Sequence, residues 1–272
     1  MTIPNVNHLT TPMPLTVPIP KVRYLTQADY QPTHEAMLQR TLARIDDKKA
    51  GIDTPDELWV VDHNDVYTLG QAGKPEHILA RNDTPIIQTD RGGQVTWHGH
   101  GQLVVYWLFD LNALDWKVRD LVSHAEQAIE DVVNGYLATT TMSANASKPN
   151  VNKPNVNNLV AKARQDAPGV YIYQQQQDGT LGEMLGKIAS LGFKIKHGFS
   201  YHGIALNVSC DLSAFHLINP CGYAGMQMLR LADLIPMGDG QADDGRINDN
   251  QVSQNLIHAI TQRHQGQVAL RQ

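Results

Sequence analysis

The chain has 272 residues, 42% hydrophobic and 18% charged, with a formal net charge of −5 when its 12 histidines are neutral. This reads as a globular, soluble chain long enough to bury a core without staples, and its acidic balance without a basic stripe argues against a nucleic-acid partner. Two cysteines, Cys210 and Cys221, are too few for a secreted disulfide scaffold, so a reducing, cytoplasmic setting is expected.

The first 20 residues, MTIPNVNHLTTPMPLTVPIP, hold no Lys or Arg and are interrupted by prolines. They read as a flexible extension and fail as a signal peptide. A helix is predicted over Thr33 to Ala50, capped by Thr33, with Leu38, Leu42 and Ile45 on one face and Gly51 just beyond. Strands are predicted at Glu57 to Val61, Val66 to Leu69, PIIQT and QLVVYWLF. The run LVVYWLF (Leu103 to Phe109) is the most apolar and far short of the ~20 residues that span a bilayer, so no membrane partner is expected.

Lys117 to Ala138 is the clearest helix, with Val118, Leu121, Val122, Ala125, Ile129, Val132, Val133 and Tyr136 on one stripe. From Thr139 to Asp166 the composition turns polar and Asn/Pro-rich, with KPNVN written twice in succession. Such a segment buries too little surface to offset its ordering entropy and reads as a disordered surface insertion over 139–166. Strand patterns resume at GVYIY, continue past a hairpin signal at Asp178-Gly179, and run through KIASLGFKIKHG and HGIALNVSC. Two helices, Met226 to Ile235 and Val252 to His264, close the chain. The expected architecture is a single α/β (α+β) domain over residues 21–272, with a mixed, largely antiparallel sheet and flanking helices.

Three stretches carry candidate chemistry. In DRGGQVTWHGHGQLVVY (Asp90 to Tyr106) four glycines leave little bulk along the turn, so a ligand can approach the backbone. Arg91 is suited to clamp an anion or orient a carbonyl, and Gln94, Thr96 and His98 add polar groups. A plain glycine-rich bend between strands accounts for the same residues equally well. No Gly-Lys-Ser/Thr follows and no helix opens after it, which excludes phosphate and dinucleotide loops. His98 and His100 lack nearby Cys, Asp or Glu at ligand spacing, so no metal is expected.

In INPCGYAGM (Ile218 to Met226) Cys221 sits in a Pro/Gly turn, either as a nucleophile or as a small apolar filler. A free thiol of pKa ~8.5 is only a few per cent thiolate at neutral pH. An ammonium ~4 Å away favours the thiolate by roughly 1–4 kcal/mol, enough to make it a major species. Lys187, at the start of an apolar strand where lysines ordinarily snorkel to solvent, is one candidate partner. Lys194 and Lys196 are equally eligible by spacing. His202 reads first as a structural histidine and Cys210 as a buried, inert thiol, with a Cys210–Cys221 disulfide as the disfavoured alternative.

RGGQVTWHGHGQLVVY, KIASLGFKIKHGFSYHGIALNV, INPCGYAGM and VYTLGQAGKPEHIL together, from about Tyr24 to the last helix, closely resemble the lipoyl(octanoyl) transferases. The resemblance implies the fold of biotin and lipoate protein ligases. It also implies octanoyl transfer from octanoyl-acyl carrier protein to a lysine of lipoyl domains, in 2-oxoacid dehydrogenase complexes and the glycine cleavage H protein. No cofactor is implied, and a monomer is expected. Carried over by motif, Cys221 is the acyl-thioester nucleophile and Lys187 lowers its pKa and shuttles protons. Arg91, Gly92, Gly93, Gln94, Val95, Thr96, Trp97 and His98 match substrate-contacting positions, as do Ser190, Leu191, Gly192, Gly203, Ile204 and Ala205.

The sequence departs from the family pattern at His100, which replaces a proline, and in a longer hairpin before Lys187. Lys148, Lys153, Lys162 and Arg164 of the insertion are expected either to assist docking of acidic partners or to decorate a tolerated surface insertion. An ATP-dependent ligase of the same fold, a non-catalytic binding module and a cysteine hydrolase are the rival functions.

Overall fold

The computed structural model describes residues 17–144, 158–235 and 247–271. In chain order the elements are β1 (Lys21–Ala28), α1 (Tyr30–Lys49), β2 (Glu57–His63), β3 (Val66–Leu69), β4 (Ile86–Gln88), β5 (Val95–His98), β6 (Gln102–Leu108) and α2 (Val118–Ala144). They continue as β7 (Leu159–Ala163), β8 (Val170–Gln175), β9 (Leu181–Lys196), β10 (Phe199–Asn207), α3 (Leu231–Leu234) and α4 (Asp249–His264). A seven-stranded sheet has the order β1-β2-β6-β10-β9-β8-β7, and a three-stranded sheet the order β4-β3-β5. β1 runs parallel to β2 and β4 parallel to β3, while every other pairing is antiparallel. The sheet is mixed and largely antiparallel, as the sequence led us to expect.

The helical stripe of α2 explains the larger core. Leu121, Ala125, Ile129 and Val133 are completely buried against Val105, Trp107, Ile172 and Ile188 of the sheet, joined by Leu256 and Ile260 of α4. A fully buried Leu or Ile contributes roughly 1.5–3 kcal/mol, so this face anchors the sheet. Two members of the stripe behave differently: Val118 is 52% exposed, and it and Val122 face a cavity. On the opposite side of the sheet, α1 buries Met37 against Trp59, Val104, Tyr106 and Tyr201.

Several expectations need correction. The first helix begins at Tyr30, with Asp29 as its N-cap, and the Thr33 hydroxyl donates to the Asp29 carbonyl at 2.8 Å. Its buried face is Thr33, Met37, Thr41, Arg44 and Ile45; Leu38 and Leu42 are half-buried. The segment predicted as an insertion over 139–166 is shorter at both ends. α2 continues to Ala144, and Leu159–Ala163 form β7, with Leu159 and Ala161 in the core. Alternating small apolar residues suffice there because the neighbouring strand β8 supplies the hydrogen bonds. Lys162 pairs with Glu130 at 3.7 Å and Arg164 with Asp166 at 2.6 Å, so these two cations are committed within the fold. Lys148 and Lys153 lie outside the described residues, as do 1–16 of the N-terminal extension.

The helix predicted over Met226 to Ile235 shrinks to the single turn Leu231–Leu234. Residues 226–229 instead run beside β9: Lys187 N–H donates to the Gln227 carbonyl and Leu229 N–H to the Lys187 carbonyl, both at 2.8 Å. An available strand edge outcompeted a short, weakly amphipathic helix. Among the described residues no helix is long and apolar enough to cross a membrane.

Candidate active site

β5, β9 and β10 converge on a cavity of about 540 Å3. Its walls include Arg91 to Thr96, His98, Lys187, Ser190 to Gly192 and Gly203 to Ala205, so three separated stretches of sequence meet in one place. Trp97 does not belong to this wall. Its ring packs edge-on against Phe215, 5.5 Å between centroids, because successive residues of a strand face opposite sides.

Arg91 does not present an open clamp. Its buried guanidinium donates to the Thr68 carbonyl at 2.7 Å, the Gln94 carbonyl at 2.8 Å, the Gly92 carbonyl at 2.9 Å and the Thr68 hydroxyl. The fork thus staples the glycine loop to β3, and its geometry suits several carbonyls at once. Gly203, which lines the cavity, also meets a packing demand. A Cβ there would stand 2.0 Å from the Val105 carbonyl oxygen, so the missing side chain serves the approach of β6.

His98 is anchored by a chain of amides. Gln102 donates through Nε2 to Asn207 Oδ1 at 2.8 Å, which turns its Oε1 toward His98 Nδ1–H at 2.7 Å. Asn207 in turn donates to the Leu229 carbonyl at 3.0 Å. Burial pushes the His98 pKa down to about 3, so the imidazole is neutral and keeps Nε2 as an acceptor. His100, by contrast, is exposed and meets Asp62 at 3.0 Å. The two histidines thus occupy different environments, one buried and one exposed.

Lys187 departs from the snorkelling default: it is 1% exposed. Its Nζ donates to the Pro168 carbonyl at 3.0 Å and lies 5.2 Å from the centre of the Tyr171 ring. The loop that receives it is held by Glu126 of α2, which accepts the Gly169 N–H at 3.0 Å. Lys194 also reaches the cavity, whereas Lys196 is exposed. Burial thus separates three lysines that spacing left equivalent.

Cys221 lies in a short 3-10 turn, Pro220–Gly222. Its backbone is described; its side chain lies outside what is described. The turn is tied to the preceding motif, since Asn219 N–H donates to the His77 carbonyl at 2.8 Å. Gly222 adopts φ +77°, and a Cβ there would come within 3.3 Å of the Gln94 side chain, so the turn lies directly against the cavity wall. Tyr223, the next residue, lines the cavity and is 45% exposed. The strand-like pairing of 226–229 with Lys187 then carries the chain from the Cys221 turn to the lysine strand. Cys210 is a free, buried thiol, and burial pushes its pKa up to about 12.

Residues 32–260 match the model of the "Lipoyl protein ligase A/B catalytic domain". The chain belongs to this family. An octanoyltransferase of Psychrobacter cryohalolentis is 58% identical over 273 residues, 91% of each chain. One from Acinetobacter baylyi is 50% identical over 194 residues, 70% of this chain and 74% of that one. Among solved structures, a lipoate-protein ligase A bound with ATP superposes with a TM-score of 0.52 at 12% identity, covering 93% of this chain and 88% of that one, which shows the shared fold. The protein is an acyltransferase of this family.

One cluster of the site escaped sequence reasoning. Asp90 Oδ1 accepts from His202 Nε2 at 2.8 Å and from His34 Nε2 at 3.0 Å, while Oδ2 accepts from the Tyr201 hydroxyl at 2.5 Å. These three donors, the His202 bond foremost, hold the Asp90 carboxyl well below the usual carboxylate range. His202, a buried member of the cavity wall at φ +59°, has its pKa pushed down to about 4 by burial. The expectation of a structural histidine thus describes its bonding but omits its place on the cavity. Tyr30, one turn before His34 on α1, stacks 6.0 Å from His98 and lines the same wall. Only the i, i+4 spacing of Tyr30 and His34 hinted at this in the sequence, and such spacing is commonplace.

Proposed function

We propose that the enzyme transfers an octanoyl group from octanoyl-acyl carrier protein to a lysine of lipoyl domains, including those of 2-oxoacid dehydrogenase complexes and the glycine cleavage H protein, in the cytoplasm. The observation that carries this reading is a lysine buried at the wall of a cavity against which the turn holding Cys221 packs. Its family relatives named octanoyltransferase support the acyl group.

In the first half-reaction the Cys221 thiolate attacks the donor thioester carbonyl. A new C–S bond forms, the donor C–S bond breaks, and the carrier thiolate leaves and takes a proton. One thioester replaces another, so no ATP is needed. In the second, the neutral amine of the acceptor lysine attacks the acyl-enzyme, the C–S bond breaks, and an amide forms as the nitrogen loses a proton and the cysteine is regenerated. Lys187, as an ammonium, favours the Cys221 thiolate before attack and as leaving group. Fixed donors around the cavity stabilise the oxyanion of each step. Burial of the alkyl tail among Val104, Leu191 and Ile204 contributes roughly 5 kcal/mol at ~0.8 per methylene.

Intact-protein mass spectrometry tests this. Mixing enzyme with octanoyl-acyl carrier protein, without ATP, is expected to give one octanoyl adduct on Cys221. The adduct disappears in Cys221→Ser and is discharged by a lipoyl domain. An adduct on Cys210, a requirement for ATP, or no adduct in a single turnover overturns the assignment.

A further inference from the structure

Glu126 and Glu130 stand one turn apart on α2 and are both buried, at 9% and 3% exposure. Carboxylates are almost never buried without partners. Glu130 has cationic ones: it accepts the Ala163 N–H at 2.7 Å and pairs with Arg271 at 2.8 Å and Lys162 at 3.7 Å. Glu126 holds no ion pair among the described residues; its Oε1 accepts the Gly169 N–H at 3.0 Å. Burial raises its carboxyl pKa, the Gly169 bond lowers it, Glu130 raises it, and the charge of Lys187 lowers it again.

The Gly169 N–H belongs to the same peptide unit as the Pro168 carbonyl, and that carbonyl accepts from Lys187 Nζ at 3.0 Å. One peptide group is therefore held at its oxygen by an ammonium and at its N–H by a carboxylate. Both charges lie along the peptide dipole in its favourable sense, and hydrogen bonds in such a chain polarise and strengthen one another. Gly169 makes the contact possible: its φ is +139°, and a Cβ there would stand 2.5 Å from Lys187 Cε and 2.8 Å from Nζ. The peptide thus packs directly against the end of the lysine side chain.

We infer that Glu126 is a positioning residue for Lys187, acting through the Pro168–Gly169 peptide to hold the ammonium in place and to favour its charged form. The inference rests on the acyl-transfer reading above, in which that ammonium favours the Cys221 thiolate. Glu126 does not line the cavity, whereas Pro168 and Lys187 do. A carboxylate set one peptide behind the ammonium offsets part of the cost of burying that charge, without competing with a thiolate for direct contact. Other charged or titratable groups face this chain. They are Glu130 of α2, Asp166 with its partner Arg164 between β7 and β8, Tyr171 of β8, and Lys194 of β9. The turn holding Cys221 and Tyr223 lies beside them, and Arg91, His98 and His202 line the same cavity. All of these are common to wild type and the Glu126 variants, so a difference between the proteins reports position 126.

The experiment compares the full wild-type chain with Glu126→Gln, which keeps an oxygen for the Gly169 N–H but no charge, and with Glu126→Asp, which keeps the charge. Single-turnover formation of the octanoyl adduct on Cys221 is followed by intact-protein mass spectrometry over a range of octanoyl-acyl carrier protein concentrations. We expect the maximal rate to fall about 10-fold in Glu126→Gln, with half-saturation within about twofold of wild type, and to recover at least in part in Glu126→Asp. A wild-type maximal rate in Glu126→Gln overturns the inference, and so does a Glu126→Asp no faster than Glu126→Gln. A second readout needs neither variant to fold: the Glu126 carboxyl is titrated by carbon-13 NMR in wild type and in Lys187→Met. Loss of the ammonium is expected to raise the midpoint by about one pH unit, and an unchanged midpoint overturns the inference. Wild-type enzyme that forms no adduct instead defeats the acyl-transfer reading, while the carboxyl titration still decides the coupling.

Discussion

Arg91 illustrates how a side chain on a cavity wall can commit its hydrogen bonds to the protein's own backbone. Its guanidinium spans Thr68, Gly92 and Gln94, and so holds the glycine loop in the shape that walls the cavity. Arg91→Lys keeps the charge but cannot bridge three carbonyls from one planar fork. We expect it to lower stability by roughly 2–4 kcal/mol, because buried carbonyls lose their donors, and to raise KM for every acyl donor alike. Urea unfolding checks the first part; a variant as stable as wild type would return Arg91 to the role of a ligand clamp. His98 and His202 offer a second residue-scale prediction. Their folded pKa values, about 3 and about 4, lie below the ordinary 6.5, so below pH 6.5 the unfolded chain binds protons that the folded chain refuses. Stability therefore falls as pH drops from 6.5 toward 4, by about 1.4 kcal/mol per pH unit for each such histidine. Urea titrations between pH 4.5 and 8 are expected to show this slope, reduced by one proton in His98→Gln; an unaltered slope in that variant would remove His98 as its source.

At the level of elements, the site depends on strands packed too closely for side chains. Gly203 sits in β10 where a Cβ would overlap the Val105 carbonyl of β6 at 2.0 Å, at the first pair of the β10–β6 ladder. Gly203→Ala is accordingly expected to cost about 3 kcal/mol or more through displacement of β10. If Gly203→Ala instead keeps its Tm and loses only acyl binding, the glycine serves the substrate and not the sheet. The expected strands at Val66 to Leu69 and along the β9 and β10 sequences were legible because β-branched and aromatic residues cluster there between turn signals. β7 was not legible. LVAKA follows an Asn/Pro-rich repeat, and only pairing with β8 and the packing of Ala161 under α2 make it a strand. The same competition removed most of the helix predicted at Met226 to Ile235, whose first residues pair with the backbone of Lys187.

Across the whole molecule, β5 lies more than eighty residues before β9, β10 and the Cys221 turn, yet all of them meet at one cavity. The hydrogen-bond path His98–Gln102–Asn207–Leu229 joins β5, β6 and β10 to the segment that pairs with Lys187. Distant parts of the site are thereby held in mutual register by buried polar contacts, which specify one arrangement more sharply than apolar packing does. The sequence by itself determined the fold class, the long helix α2 and the family, because apolar periodicity and four ordered motifs are local properties of the chain. Only tertiary structure decided which of Lys187, Lys194 and Lys196 is buried, that Arg91 staples a loop, that Trp97 faces away, and that Asp90 gathers His34, His202 and Tyr201. Burial and long-range hydrogen bonding depend on which strands become neighbours, and no spacing along a single chain encodes that distance directly.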